Sequence, residues 1–199
     1  MYFFCCRGNT TVDGNLYQIR VLDYATDLHL QEHPAILLCE PDSELRFINI
    51  GWIGFIGVIS GMNYDGIAVS EIGDSFNKVY QTMAAEPMLF VLRDVLQYSS
   101  SLDEAIEIIT SAKRTSSFLY CVGDVKIPNA RSFKAGPLYC DVFSDTTNLN
   151  SFLDDVVYFS MGITSSWNSK VFDFLNGFFS EIQCFSVFNF AVRRTGFYF

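Results

Sequence analysis

The sequence predicts an α+β protein in which a helical layer packs against antiparallel β-sheet. Strand-like runs with turn signals come first, two helical segments follow, and strand-like runs return after them. The 199 residues are 50% hydrophobic and 18% charged, which predicts an ordinary folded domain rather than a disordered chain. The net charge of −9 argues against binding to nucleic acid or to anionic lipid, because both surfaces attract basic proteins.

The first block is predicted to consist of strands joined by tight turns. Asp13-Gly14 is a hairpin signal, and polar and apolar residues alternate after it as far as Val21. His33-Pro34 and Pro41-Asp42 interrupt the chain on either side of the next apolar run. Further strands are predicted at residues 35–39, 44–50, 52–59 and 66–72, with GMNYDG (61–66) as the turn between the last two.

The middle of the chain changes to a helical period. Apolar residues recur at helical spacing from Pro87 to Tyr98, and proline suits a first helical position. Ser101 and Glu104 form a capping box at the start of a second helix. The runs SSFLYCVGD (116–124) and VVYFS (156–160) then return to strand.

Cysteine and histidine usage predicts no metal site, and we expect no cofactor because the sequence contains neither a P-loop nor a dinucleotide fingerprint. The six cysteines contain no CxxC pair, and the two histidines are His29 and His33. Cys39 and Cys121 lie inside apolar runs and are expected to be buried thiols.

The uncharged stretch from Phe47 to Tyr64 could nearly cross a bilayer, but its glycines and asparagines favour two buried strands. The N-terminus is too short and lacks the basic region of a signal peptide, and the sequence leaves the compartment open.

The composition divides the chain into residues 1–170, a single domain, and residues 171–199, a Phe-rich tail without a clean period. Three interpretations of the tail are open. It could pack on a partner, including a second copy of the chain, or be a divergent end that replaced ordinary sequence. An amphipathic surface helix ranks below these two, because its basic residues are only Arg193 and Arg194.

Cys5 and Cys6 are the candidate nucleophiles. A thiol attacks carbonyl groups well if a base takes its proton, and the α-amine of an N-terminal cysteine can be that base after cleavage of the preceding bond. The alternative is that these cysteines are frayed or simply buried. Arg20 and Asp23 could hold the thiolate and the amine, or could form an ordinary surface ion pair.

Two further polar residues have both a structural and a functional interpretation. Asn63 lies in the predicted turn, and its amide could instead stabilise an oxyanion together with backbone N–H groups. Arg114 could be a cation at the C-terminal end of a helix, or could bind a substrate carboxylate.

Three blocks of the sequence together resemble the N-terminal-nucleophile hydrolases. They are TVDGNLYQIRVLDY (11–24), GFIGVISGMNYDGIAVSEIG (54–73) and PMLFVLRDVLQYSSSLDEAIEIITSAKRTSSFLYCVGD (87–124). Within that group the chain is most similar to the acyl-coenzyme A:6-aminopenicillanic acid acyltransferase-like family, of peptidase C45 type, which is related to choloylglycine hydrolases and acid ceramidase. The resemblance extends from Gly8 to Gly162.

The resemblance implies a four-layer αββα sandwich, incomplete at the C-terminus because relatives continue with further strands. It implies hydrolysis or transfer of an acyl group at a linear amide bond, by a cysteine that autocatalytic cleavage frees, through an acyl-enzyme. The family's Arg-x-x-Asp pair matches Arg20 and Asp23, and its GMN turn matches residues 61–63. The strand at residues 70–73 would border the pocket.

The nucleophile itself departs from the family pattern, because family cysteines are usually followed by Thr or Ser. Spacing in relatives points near Phe4, so Cys5 is the nearest thiol and Cys6 is one residue further away. A slip of one residue would turn the side chain to the other face of the sheet. Two hypotheses therefore remain. One is a cysteine amidase or acyltransferase acting on a small-molecule acyl amide or acyl donor, and the other is a non-catalytic or truncated homologue that serves as a binding or assembly module.

Overall fold

The structure, a computed structural model, describes residues 2–9, 11–22, 26–74, 80–144, 156–160, 189–193 and 196–198. Two β-sheets and two helices dominate this part of the chain. The first sheet has the strand order β10-β1-β2-β11-β12. Its strands are β1 (Tyr2–Gly8), β2 (Gly14–Val21), β10 (Val156–Ser160), β11 (Asn189–Arg193) and β12 (Gly196–Tyr198).

The second sheet is an antiparallel meander of seven strands in sequence order. It contains β3 (Pro34–Cys39), β4 (Phe47–Trp52), β5 (Ser60–Asn63), β6 (Ile67–Gly73), β7 (Phe118–Asp124), β8 (Asn129–Gly136) and β9 (Tyr139–Phe143). Two short 3-10 turns, Thr26–Leu28 and Leu30–Glu32, precede it. Short connections join neighbouring strands of this sheet, as antiparallel pairing permits, except between β6 and β7, where residues 74–117 include both helices.

Two helices cover the outer face of the second sheet. They are α1 (Met88–Tyr98) and α2 (Leu102–Ser111), and their apolar faces are buried at the spacing that the sequence predicts. The predicted capping box is confirmed: Ser101 Oγ accepts the Glu104 N–H at 3.3 Å, and the Glu104 carboxylate accepts the Ser100 N–H at 2.7 Å. Pro87 precedes the first helical residue instead of occupying it.

Two separate apolar cores hold the layers together. The larger one lies between the helices and the second sheet, and the smaller one lies between the two sheets. The inter-sheet core contains Phe3, Cys5, Leu16, Ile72, Leu119, Cys121 and Ala130. The described residues thus form a helix layer on two stacked sheets, which confirms the predicted α+β class.

The stretch at residues 52–59 is not the predicted strand. β4 ends at Trp52 and β5 begins at Ser60, so the chain between them is irregular. Gly54 has a φ of 83°, which suits a bend, and a Cβ at Gly57 would lie 2.3 Å from Leu89 Cβ, so Gly57 lets the chain pass close to α1. Residues 61–63 of the predicted GMNYDG turn belong to strand β5. Strands β8 and β9 were not predicted from the sequence.

The predicted burial of Cys39 and Cys121 is confirmed for Cys121 only. Cys121 is fully buried in β7, whereas Cys39 is half-buried because β3 is the edge strand of the second sheet. The five described cysteines are free thiols.

Within the described ranges, no helix is long and apolar enough to span a bilayer, and no cluster of His, Cys, Asp and Glu side chains is suited to a metal ion.

Residues 171–199, the predicted tail, are described only in β11 and β12. Asn189 and Phe190 pair with Ile19 and Gln18 of β2, so this part of the tail extends the first sheet. The proposed boundary at residue 170 lies outside the described residues.

Candidate active site

The β1–β2 hairpin places Cys5 and Arg20 on the same face of the first sheet. Cys5 is directly opposite Gln18, and Phe3 is directly opposite Arg20. Residues directly opposite each other in antiparallel strands share a face, and alternate residues along a strand do so too. Leu16, Gln18 and Arg20 are accordingly all buried, while their neighbours along β2 are only partly buried. This face points at the second sheet.

Cys6 lies on the opposite face of the same strand. It is directly opposite Tyr17 and is half-buried. Burial raises the pKa of its thiol to about 11. Of the two candidate nucleophiles, the structure therefore brings Cys5, and not Cys6, to the face that carries Arg20.

The second sheet presents a row of small polar side chains to Cys5. Ser70, Cys121 and Ser132 are directly opposite one another on β6, β7 and β8. Cys5 Sγ lies 3.0 Å from Cys121 Sγ, and Gln18 Nε2 donates to Ser70 Oγ at 2.8 Å. We call Cys5, Gln18, Ser70, Cys121 and Ser132 the polar layer, since they lie together in an otherwise apolar inter-sheet core.

The Cys5 thiol is neutral and shielded in the described chain. Its residue is 1% exposed, and Cys121 is fully buried beside it. Burial, followed by the hydrogen bond with Cys121, raises the pKa of the Cys5 thiol well above its ordinary value. The structure thus shows a protonated thiol that is almost completely shielded from solvent.

Arg20 forms a buried ion pair that crosses between the sheets. Its Nε donates to the Glu71 backbone oxygen at 2.5 Å, and its Nη2 lies 3.3 Å from Glu71 Oε1. Burial lowers the pKa of Arg20 and raises that of Glu71, and each partner's charge opposes the shift of the other. The surface ion-pair interpretation is therefore wrong for Arg20. Asp23, its predicted partner, lies outside the described residues.

Asn63 has a structural role instead of the predicted position beside the nucleophile. Its Nδ2 donates to the backbone oxygens of Leu96 and Ser99 at 3.1 and 2.7 Å, and its Oδ1 accepts the Ile67 N–H at 2.9 Å. Both amide hydrogens are thus used on the helix side of the second sheet. The side chain ties the β5–β6 turn to the end of α1, and the structure does not bring it to Cys5.

Arg114 follows the structural interpretation as well. Its guanidinium is buried and donates to the backbone oxygens of Ile109, in the last turn of α2, and of Gly136 and Tyr139. Cations stabilise the C-terminal ends of helices because the last carbonyl groups lack partners there. These three acceptors occupy the guanidinium and leave it no part in the polar layer.

A family model identifies the chain. The model described as acyl-coenzyme A:6-aminopenicillanic acid acyl-transferase matches residues 10–154. The chain belongs to this family. The match covers β2 through β9 and therefore includes Gln18, Arg20 and Glu71, but it begins after Cys5. Membership in the acyl-transferase family consequently does not assign the nucleophile.

Curated relatives match nearly all of the chain and are much longer. Protein dcd1B of Dictyostelium discoideum is 27% identical over 193 residues, which are 92% of this chain and 38% of the relative. Protein dcd1A of the same organism is 25% identical over 208 residues, 95% of this chain and 47% of the relative. The chain spans less than half the length of these relatives.

Solved structures share the fold. The Caenorhabditis elegans N-acylethanolamine-hydrolyzing acid amidase ortholog has a TM-score of 0.70 at 14% identity, over 89% of this chain and 79% of that one. An arginine-to-leucine variant of the Clostridium perfringens conjugated bile acid hydrolase has a TM-score of 0.58 at 14% identity, over 89% and 57%. Penicillin V acylase from Agrobacterium tumefaciens has a TM-score of 0.53 at 10% identity, over 92% and 58%. The fold is therefore the αββα sandwich of the N-terminal-nucleophile hydrolases, of which three layers are described.

Proposed function

We propose that this protein is a cysteine amidase or acyltransferase whose nucleophile is Cys5, freed by cleavage of the Phe4–Cys5 bond. The observation that carries the proposal is the register of the β1–β2 hairpin. It places Cys5 on the inter-sheet face that also carries Arg20, and it turns Cys6 away. The substrate is a small-molecule acyl amide or acyl donor, and the reaction uses no metal or cofactor.

Cleavage at this bond would supply both the base and the space that the reaction needs. The new α-amine of Cys5 has an ordinary pKa of about 7.7–8.0, so it can accept the thiol proton near neutral pH. Phe3 is fully buried opposite Arg20. Because a phenylalanine buries about 150–250 Å², its departure would open an apolar space between the sheets beside Cys5.

The chemistry then follows from the groups around that space. The Cys5 sulfur attacks the acyl carbonyl carbon, the α-amine takes the thiol proton, and backbone N–H groups stabilise the oxyanion. The ammonium returns the proton to the leaving amine as the C–N bond breaks, which leaves a thioester on Cys5. Water or an acceptor amine attacks the thioester and restores the thiol.

Arg20 and Asp23 are proposed to hold the reacting groups in place. Glu71 fixes the Arg20 guanidinium by two contacts. We propose that this fixed cation favours the thiolate once Cys5 is the first residue of the chain. Asp23 is proposed to hydrogen-bond the Cys5 ammonium. Membership in an acyl-transferase family and the fold shared with an acid amidase and a penicillin acylase support acyl transfer at an amide bond.

A second candidate function, a non-catalytic binding or assembly module, is favoured by one observation. In the described chain Cys5 is 1% exposed, and Phe3 fills the position opposite Arg20. A chain that is never cleaved would stay closed in this way. The Phe-rich residues 171–199 would then be its contact with a partner, including a second copy of the chain.

Mass spectrometry and labelling distinguish the two functions. The purified protein is weighed intact and treated with a thiol-directed acylating probe, in parallel with its Cys5→Ser and Cys6→Ser variants. The enzyme predicts a chain that begins at Cys5, is labelled once at the active site, and keeps that label in Cys6→Ser but loses it in Cys5→Ser. An uncut chain that resists the probe in all three forms supports the module.

A further inference from the structure

A second buried thiol faces Cys5 from the opposite sheet, and the proposed reaction gives it no role. Cys121 lies 116 positions further along the chain, yet the two Sγ atoms are 3.0 Å apart. A disulfide bond is 2.03–2.05 Å long, so the sulfur atoms need to approach each other by only about 1 Å.

The two strands that carry these thiols lie close together. Stacked sheets are typically about 10 Å apart, whereas Cα atoms of β1 and β7 come within 8 Å of each other. Gly123, two residues after Cys121, permits this approach: a Cβ there would lie 2.8 Å from both Gln18 Oε1 and Leu16 Cδ2. A disulfide also requires close Cα atoms, and the approach of β1 to β7 favours this.

The polar layer around the thiols is incompletely hydrogen-bonded. Gln18 Oε1 and Ser132 Oγ are buried, and neither has a hydrogen-bond partner among the described residues. Buried polar atoms without partners destabilise the folded state, so this layer is a weak point of the sheet interface. Small movements of β1 against β7 are therefore easier here than in a fully apolar core.

We propose that Cys5 and Cys121 are a redox pair, and that their oxidation to a disulfide bridges the two sheets and reversibly blocks the nucleophile. The bridge itself depends only on the geometry, whereas its effect on activity rests on the proposed function. The oxidant is a low-molecular-mass disulfide such as oxidised glutathione.

Two thiol–disulfide exchange steps form the bridge. The Cys5 thiolate attacks one sulfur of the oxidant, which gives a mixed disulfide and releases one thiolate that takes up the Cys5 proton. Cys121 loses its proton and attacks the Cys5 sulfur, so that the second thiol leaves. Two protein thiols are oxidised and one disulfide is reduced to two thiols, which balances the electrons and protons. Burial raises the pKa of the Cys5 thiol, so the first step is expected to be slow and to accelerate in mildly alkaline buffer.

Disulfide mapping of the wild-type protein tests the pair without any variant. The reduced protein is incubated with oxidised glutathione, free thiols are then alkylated, and the digest is analysed by mass spectrometry. The expected product is a peptide pair joined through Cys5 and Cys121, absent after dithiothreitol. Only mixed glutathione adducts, or a bridge from Cys5 to another cysteine, would overturn the proposal.

Two variants make the test specific. Cys121→Ser keeps a hydroxyl beside Cys5 and should yield only a glutathione adduct on Cys5. Cys140→Ser removes a half-buried thiol of β9 and should retain the Cys5–Cys121 bridge in at least nine-tenths of the wild-type yield. Loss of the bridge in both variants would contradict the assignment.

Activity provides a separate readout. If reduced protein hydrolyses an acyl amide, the bridged form should lose at least tenfold in rate and recover with dithiothreitol. A bridge in a protein without activity would overturn the proposed function and leave the redox pair intact. Activity without a bridge would overturn only the redox pair.

Discussion

Arg20 and Glu71 form a buried ion pair that joins β2 of the first sheet to β6 of the second. Arg20 shares its face with Cys5, and from that face its guanidinium reaches the backbone oxygen and the carboxylate of Glu71. The guanidinium is thus fixed by a partner from the other sheet and is not a mobile surface charge. Glu71 becomes a positioning residue for Arg20 in the proposed reaction.

Removing one partner of this pair should destabilise the protein strongly. Arg20→Ala leaves a buried carboxylate without its cation, for which we expect a loss of about 3–5 kcal/mol in the free energy of unfolding. Arg20→Ala combined with Glu71→Ala should lose less than the sum of the single variants. Urea unfolding of the four proteins measures this coupling. Additive losses would show that the ion pair contributes no coupling.

Asn63 should matter for stability and not for chemistry. Asn63→Ala removes two hydrogen bonds from the β5–β6 turn to the end of α1 and one within the turn, and it leaves two carbonyl groups and one N–H without that partner. We expect a loss of at least about 3 kcal/mol in the free energy of unfolding, at about 1–3 kcal/mol for each of the three buried groups. The rate per folded molecule should stay within twofold of wild type. A stable variant with no turnover would instead restore the oxyanion role.

Alkaline pH should destabilise the uncleaved chain through Cys5. Burial raises the pKa of this thiol well above its ordinary value of 9.0. The folded protein then keeps the proton where the unfolded chain loses it. Stability is therefore fully present below pH 9.0 and falls as the pH rises above it, by up to about 1.4 kcal/mol per pH unit. The free energy of unfolding should depend less on pH in Cys5→Ser than in the wild-type protein. Identical pH dependence in the two proteins would contradict a raised pKa of the Cys5 thiol.

The disulfide between Cys5 and Cys121 should stabilise the folded protein. It would close a long loop in the unfolded chain, for which about 2–4 kcal/mol is typical. The oxidised protein should melt at a higher temperature than the reduced protein, and dithiothreitol should abolish the difference. Cys121→Ser should show no such difference, and a lower melting temperature on oxidation would indicate that the bridge strains the sheets.

Local signals in the sequence predicted the local parts of the fold. The Asp13-Gly14 turn, the helical spacing after Pro87 and the Ser101–Glu104 capping box act within a few residues of each other, and the structure contains all three. The prediction of a strand at residues 52–59 was wrong, because the chain bends there and Gly57 packs against α1. No local pattern shows this contact with a later helix.

The candidate site was only partly visible in the sequence, because its contacts are long-range. Hairpin spacing could bring Cys5 and Arg20 near each other, since they lie in consecutive strands. The contacts of Cys5 with Cys121 and of Arg20 with Glu71 depend on how two sheets stack. The hydrogen bonds of Asn63 to Leu96 and Ser99 were not visible in the sequence for the same reason, since these partners lie at the end of a helix that follows much later in the chain.

The assignment of the nucleophile is tested most directly by mapping the peptide that an acyl probe modifies. The purified protein is treated with the thiol-directed acylating probe, digested, and sequenced by tandem mass spectrometry. We predict a labelled peptide whose first residue is Cys5, with the probe on its sulfur. A label on Cys6, or acyl transfer by a chain that still carries Phe4 ahead of an unmodified Cys5, would contradict it.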